Sequence, residues 1–310
     1  MLGRHHLFKT AIALDKAVRL SWLGPHVARF AYWIWDTTLD IYFTLRSKLF
    51  GHTAIFDLLG RQVIMDLRDR SVTRVLYLFH EYEPLETRMF INLLKPGMTV
   101  IDIGANTGYY TLIAALSVGE TGRIVAFEPY PGNVEILSRN VEFNRLDNVT
   151  IEAYAISDLD GVAKLYISNI NAGDHRIYDG KDDDLFNVGR SRQKINVFTT
   201  TLDGYINNKG IDVDVIKMDV QGAEYVALQG MKETLKVNQD IILMTEYWPY
   251  GLKRCGTEPI EFLRELNTLG FNIFLINSDG RFINQKLKEV NDSVSGADHI
   301  TLFLARDELV

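Results

Sequence analysis

Between residues 99 and 118 the pattern of apolar and polar side chains changes period. Val100, Ile101 and Ile103 form a β-branched run broken only by Asp102, of the kind that fills a strand buried on both faces. From Tyr109 onward the chain reads as a helix, with Gly104 and Gly108 at the joint. The same alternation recurs downstream. It predicts strands over 99–104, 123–128, 149–156, 213–219, 240–246, 271–277 and 299–305, and helices over 108–118, 131–145, 222–236 and 258–269. Strands and helices in this order imply an α/β fold whose parallel sheet is covered on both faces.

Two stretches depart from that rhythm. "GVAKLYIS", a polar segment over 169–194 and "INVFTTTLDGYI" intervene between the third and fourth major strands, which predicts added strands and a mobile loop over one edge. The chain between 277 and 299 is polar with no convincing helix, so the last two strands are expected to pair antiparallel as a long hairpin. Upstream, "TAIFDLLGRQVIMDL" predicts a β-hairpin turning at Gly60-Arg61-Gln62. A linking helix through "VTRVLYLFHEYEPLETRMFINLL" follows, broken near Pro84. The expected division is a helical extension over 1–50, a hairpin and linking helix over 51–98, and the sheet domain over 99–310.

Charge changes the picture only at the N-terminus. The chain carries a net −7, which does not suggest a nucleic-acid partner. Residues 1–50 hold seven Lys and Arg against three Asp and Glu, a net of +4, leaving −11 for the rest. That basic segment is rich in aromatics (Trp22, Tyr32, Trp33, Trp35, Tyr42, Phe43), and Arg29, Asp36, Asp40 and Arg46 interrupt its apolar runs. It resembles neither a signal peptide nor a spanning helix. Two readings stand: a helix packing on the main domain or on a second copy in a homo-oligomer, or an interfacial helix making peripheral contact with an anionic membrane. A single cysteine, Cys255, forms no internal disulfide and favours a reducing, cytoplasmic setting.

The glycine joint is where chemistry is expected. In an open α/β sheet, ligands lie beyond the carboxyl ends of the strands where strand order reverses. Gly104 and Gly108 let the backbone turn sharply and a ligand approach, and the free N–H groups that follow favour negative charge. Glu128 closes the next strand in "RIVAFEPYP", twenty residues past Gly108, a position suited to binding ribose hydroxyls. A dinucleotide fold expects Gly-x-Gly-x-x-Gly, whereas this chain has Asn106 and Tyr109 at the second and third glycine positions. Asp102, two residues before Gly104, would crowd a pyrophosphate but suits a cationic sulfonium ligand. S-adenosylmethionine is therefore favoured over NAD.

The stretches "VIDIGANTGYYT", "AFEPYPGNVEILSRNVEFN", "AISDLDG", "TTLDGYI", "IKMDVQGAEYVALQG" and "IILMTEYWP" together resemble the FkbM family of S-adenosylmethionine-dependent methyltransferases, over roughly residues 80–280. The resemblance implies a class I methyltransferase, Rossmann-like fold over 99–310. Its seven-stranded, mostly parallel sheet has one antiparallel strand, and methyl transfer usually goes to an oxygen of a saccharide or natural product. By that resemblance Gly104, Ala105, Asn106 and Gly108 wrap the methionine part of the cofactor with Asp102 in support. Glu128 holds the ribose, and Asn133 or the "AIS" segment, with Ser157 and Asp158, borders the adenine, a turn before Gly161 being the competing reading for Asp158. Tyr82, with Glu83, resembles the family's entry segment over the cofactor. Where the family often carries Asp-x-Glu-Gly-x-Glu this chain has "DVQGAE", with Gln221 in the first glutamate's place, which weakens any charge or metal role at that position.

Asp219, at the end of the fourth major strand, is the first candidate for acceptor binding or proton removal, with helix N-capping as the competing reading. Glu246 closes the fifth strand at the same rim, Lys217 alternates to the side of Asp219, and Glu224 is read as support or as a surface pair. His175, in the polar insertion, is a candidate base on a mobile lid, or else a solvated loop histidine. Asp219, Glu246 and His175 as a divalent-cation site is a weak pattern, because the oxygen ligands come from separate strands, so no metal is expected. The expected acceptor is a small molecule or glycan hydroxyl. The rivals are a cofactor-binding scaffold without chemistry, peripherally bound to a membrane, and an NAD-dependent dehydrogenase.

Overall fold

A computed structural model describes residues 25–68, 72–79, 82–168, 175–178, 192–296 and 298–309, with side chains from residue 37. The helix Pro25–Phe50 comes first, so most of the basic extension's aromatics lie outside the described residues or side chains. Strands β1 (Thr53–Leu58) and β2 (Arg61–Asp66) form the hairpin. Its turn is Leu59-Gly60, one residue earlier than expected, with φ of 56° and 70°. Positive φ at both central residues matches the twist of a two-residue hairpin. Two helices, Val72–Phe79 and Pro84–Leu93, replace the linking helix, and the second begins with Pro84 in its first turn.

The main sheet is built from β3 (Thr99–Ile103), β4 (Arg123–Phe127), β5 (Val149–Glu152), β9 (Val215–Met218), β10 (Ile242–Tyr247), β11 (Asn272–Ile276), β12 (Phe282–Gln285) and β13 (Ile300–Ala305). Its order is β12-β11-β13-β10-β9-β3-β4-β5. The chain runs outward from β3 through β4 to β5, then crosses back to β9 on the other side of β3. The reversal point therefore lies between β3 and β9. Strand β13 runs antiparallel between β10 and β11, as in the expected class I arrangement.

Four expectations need correction. The sheet has eight strands rather than seven, because β12 adds an antiparallel edge to β11. The segment between β12 and β13 holds a helix, Leu287–Ser293, opened by the Lys286 backbone N–H donating to Glu289. Seven residues with apolar Leu287 and Val290 are too few to display a helical period. The expected strand over 149–156 divides into β5 and β6 (Ala155–Ile156), and β6 leaves the main sheet for one with β7 (Gly161–Ile167) and β8 (Gln193–Thr200), in the order β6-β8-β7. The helix over 222–236 divides at Gly230 into Glu224–Gln229 and Lys232–Val237, and a Cβ at Gly230 would lie 1.8 Å from the Ser157 carbonyl oxygen.

One apolar core joins these parts. Phe43 of the first helix, Met65 of β2, Phe90 of the linking segment and Val100, Phe274 and Phe303 of the main sheet belong to a single buried cluster. Among the described residues no helix is long and apolar enough to cross a membrane.

Candidate active site

At the reversal point a cleft opens over the ends of β3, β4 and β9, with about 910 Å³ of empty space counted out to solvent. Its floor is the turn after β3, where the Gly104 and Ala105 backbone N–H groups both donate to the Phe127 carbonyl oxygen, at 2.9 and 3.0 Å. The structure gives the glycines a reason other than ligand approach. Gly104 has φ 77°, and a Cβ there would sit 1.9 Å from the backbone oxygen of Asp219. Gly108 has φ 98°, and a Cβ there would sit 2.5 Å from Leu137 Cδ1. The neighbouring strand and helix pack where side chains would be.

Glu128 follows β4 and is buried. It accepts from the Asn106 N–H at 2.8 Å and the Tyr130 N–H at 2.9 Å, with further hydrogen bonding from Asn133. Burial pushes its carboxyl up to about 7, against the pull of those donors. Gly104, Ala105, Asn106, Glu128, Asn133 and Tyr82 all line the cleft, whose far wall is Tyr154, Ile156, Leu165 and Ile177. This wall of flat and branched apolar groups beyond an acid fits a purine with its ribose. Tyr82 packs edge-on to Tyr109, whose hydroxyl donates to the Tyr82 carbonyl oxygen at 3.2 Å.

Asp102 and Gly108 stand behind the wall. Thr111 donates to Asp102 Oδ2 at 2.6 Å, and Lys217, its register partner on β9, comes within 3.8 Å of Oδ1. Burial raises the Asp102 carboxyl, opposed by Lys217. Ser157 and Asp158 are not in the cleft: the Ser157 N–H donates to Thr200, the pairing of β6 with β8 carries the chain away, and Asp158 faces outward toward the Ser157 hydroxyl. Of the "AIS" segment, Ala155 and Ile156 line the cleft, together with Tyr154.

His175 also departs from expectation. It is largely buried against Tyr130, with ring centroids 4.3 Å apart, and it lines the cleft rather than a solvated loop. Its Nδ1 accepts from the Ser168 N–H at 3.1 Å, so the neutral ring carries its proton on Nε2, which is buried with no hydrogen-bond partner. Burial, then Arg192, lowers its pKa to about 4. Its ring N–H is shut away from solvent, and the ring lacks the proton affinity of a general base at neutral pH.

A second cavity, lined by Glu83, Glu86, Tyr110, Lys217, Asp219, Glu246 and His299, shares Tyr110, Lys217 and Asp219 with the first. Asp219 follows β9. Its Oδ1 accepts from Gln221 Nε2 at 2.6 Å, and Oδ2 lies 3.7 Å from Lys217 Nζ. It is not a helix cap, because the next helix begins at Glu224 with Ala223 at its N-cap and no side-chain cap bond. Glu224, fully buried, accepts from the N–H groups of Val220 and Gly222 through Oε1, each at 3.1 Å. Burial, and after it Asp219 and Glu224, hold the Glu246 carboxyl well above the usual range. For Lys217, burial alone would lower the pKa, yet Asp219, Asp102, Glu83 and Glu246 together raise it. Glu83 enters from the linking segment with φ 44° and accepts from the Tyr110 hydroxyl at 2.6 Å. Its link to Tyr110 was invisible in sequence, as was the contribution of Tyr154, Leu165 and Ile177.

Residues 102–273, more than half the chain, match the methyltransferase FkbM domain family. The 2-O-methyltransferase NoeI of Sinorhizobium fredii is 31% identical over 175 residues, 52% of this chain and 68% of that protein. A probable cobalt-precorrin-6B C(15)-methyltransferase (decarboxylating) of Sulfurisphaera tokodaii is 34% identical over 149 residues, 45% of this chain and 72% of that one. The crystal structure of methyltransferase FkbM from Methylobacillus flagellatus is 14% identical, with a TM-score of 0.43, over 74% of this chain and 52% of that one. With the glycine turn, the acid after β4 and the acid after β9 all inside or at the edge of the matched span, the chain belongs to the FkbM family of methyltransferases.

Proposed function

We propose that the protein transfers a methyl group from S-adenosylmethionine to a hydroxyl of a saccharide or other natural product. The observation that carries this reading is the pair of adjoining cavities that meet at Asp219, Lys217 and Tyr110. One suits an adenine nucleoside and the other is polar and acidic. Bound cofactor would supply a methyl group activated by a sulfonium.

The chain's own part is to bind, align and take a proton. Glu128 accepts from the ribose hydroxyls, and Tyr154, Ile156 and Leu165 enclose the base. The acceptor hydroxyl donates to Asp219 Oδ2, the oxygen that Gln221 leaves open. Asp219 would take the hydroxyl proton as the acceptor oxygen gains the methyl group that bound cofactor would supply. Alignment supplies most of the rate and the base a smaller share.

The relatives alone do not fix the atom methylated, since one is named for oxygen and another for a carbon. Carboxylates at the acceptor cavity favour oxygen, whose proton has to be removed. The test combines calorimetric titration with S-adenosylhomocysteine and a methyl-release assay over a panel of saccharide and natural-product alcohols. Micromolar binding with turnover on a hydroxyl acceptor is the expected outcome. Absence of binding overturns the reading, and binding without turnover on any acceptor favours the non-catalytic scaffold.

A further inference from the structure

We propose that Asp219, Glu224 and Glu246 form a divalent-cation site on the acceptor side of the cofactor cleft. The sequence grouped Asp219 and Glu246 with His175, but the fold takes His175 to the purine side and brings Glu224 to the acids instead. One carboxylate oxygen from each of the three lies within 4.8 Å of the other two. That spread fits around one hard cation with oxygens at about 2.0–2.6 Å from the metal.

An independent observation points to a ligand there. Glu224 is fully buried. Its Oε1 is satisfied by two backbone N–H groups, but its Oε2 has no hydrogen-bond partner. Leaving a buried carboxylate oxygen unmade is costly, and native structures rarely do so without a purpose. The surroundings do not supply the missing charge. The walls of the adjoining cavity carry Glu83, Glu86, Asp219 and Glu246 against Lys217 and His299. Lys217 is already shared between Asp102 and Asp219, and His299 lies 3.5 Å from Glu246.

An all-carboxylate set without sulfur or imidazole selects magnesium, calcium or manganese over zinc. Three ligands from one rim leave coordination positions open toward the cavity, where an acceptor's oxygens can enter. A vicinal diol, as in a saccharide, would chelate such an ion through both oxygens. The existence of the site stands on the carboxylates alone; its use in presenting a diol rests on the methyl-transfer reading above.

Manganese(II) is the probe, titrated into the full chain and followed by electron paramagnetic resonance. One saturable site per chain is expected, with Glu246→Gln weakening it about tenfold or more while S-adenosylhomocysteine affinity stays within about twofold. Anomalous diffraction from manganese-soaked wild-type crystals locates the ion without any variant, and a peak among the three carboxylates is the expected result. No saturable binding, equal affinity in Glu246→Gln, or a peak elsewhere only overturns the proposal. Manganese binding with no methyl transfer to any alcohol would keep the site and remove the O-methyl reading, so the two fail separately.

Discussion

Glu128 gives the cleft a pH signature of definite sign. Its folded carboxyl titrates near 7, well above the ordinary 4.5, because it is buried. The unliganded fold therefore holds a proton there that the unfolded chain gives up. This contribution to stability is complete below about pH 4.5 and is lost as pH rises through 7. Ribose hydroxyls prefer the ionised form, so affinity runs the other way. S-adenosylhomocysteine should bind most tightly above pH 7.5 and lose affinity by up to roughly tenfold per unit below 7, measured by calorimetry between pH 5.5 and 8.5. A flat profile would remove Glu128 as the ribose ligand. Asp219→Asn should keep cofactor affinity within about twofold but lower turnover by about 100-fold, the usual share of a general base. Full turnover in that variant would leave Asp219 a bystander.

At the scale of elements, the junction of β3 with β9 is the tightest feature of the site. Gly104→Ala would place a methyl against the Asp219 backbone oxygen and hold an L residue at φ 77°. The obstacle is main chain, which has no rotamer to yield, so β3 and β9 must part at their tips. The expected cost is roughly 3 kcal/mol, read as a lowered thermal midpoint together with lost turnover, since Asp219 moves with its strand. Between the helices Glu224–Gln229 and Lys232–Val237, Gly230 is pressed in the same way by the Ser157 backbone. Both contacts link residues far apart in the chain. A glycine in a sequence signals a turn, but not which backbone will press on it.

For the whole molecule, Phe43 anchors the helix Pro25–Phe50 to the core, while Ile41, Leu45, Leu49 and Phe50 of the same helix are exposed. Phe43 is 1% exposed, stacks edge-on to Tyr77 and lies under the Arg74 guanidinium, while the Tyr42 and Tyr77 hydroxyls are 3.1 Å apart. Phe43→Ala should cost about 3–4 kcal/mol, and deleting residues 1–50 should lower the unfolding midpoint by more than that single change. An unaltered midpoint after the deletion would show the extension to be dispensable for the fold. The antiparallel last strand was implied by the family resemblance, whereas the alternation of β-branched runs with helices, the glycine joint and the acids after β4, β9 and within β10 were all legible in the sequence. Each depends on periodicity or turn chemistry within a few neighbouring residues. Tertiary structure alone decided that Ser157 and Asp158 turn away, that His175 packs on Tyr130 with its proton on Nε2, that an eighth strand closes the edge, and that Glu83, Asp102, Asp219 and Glu246 converge around Lys217. Those outcomes depend on which distant segments share a wall, and charge and burial at a wall are properties of the assembled fold rather than of any stretch of chain.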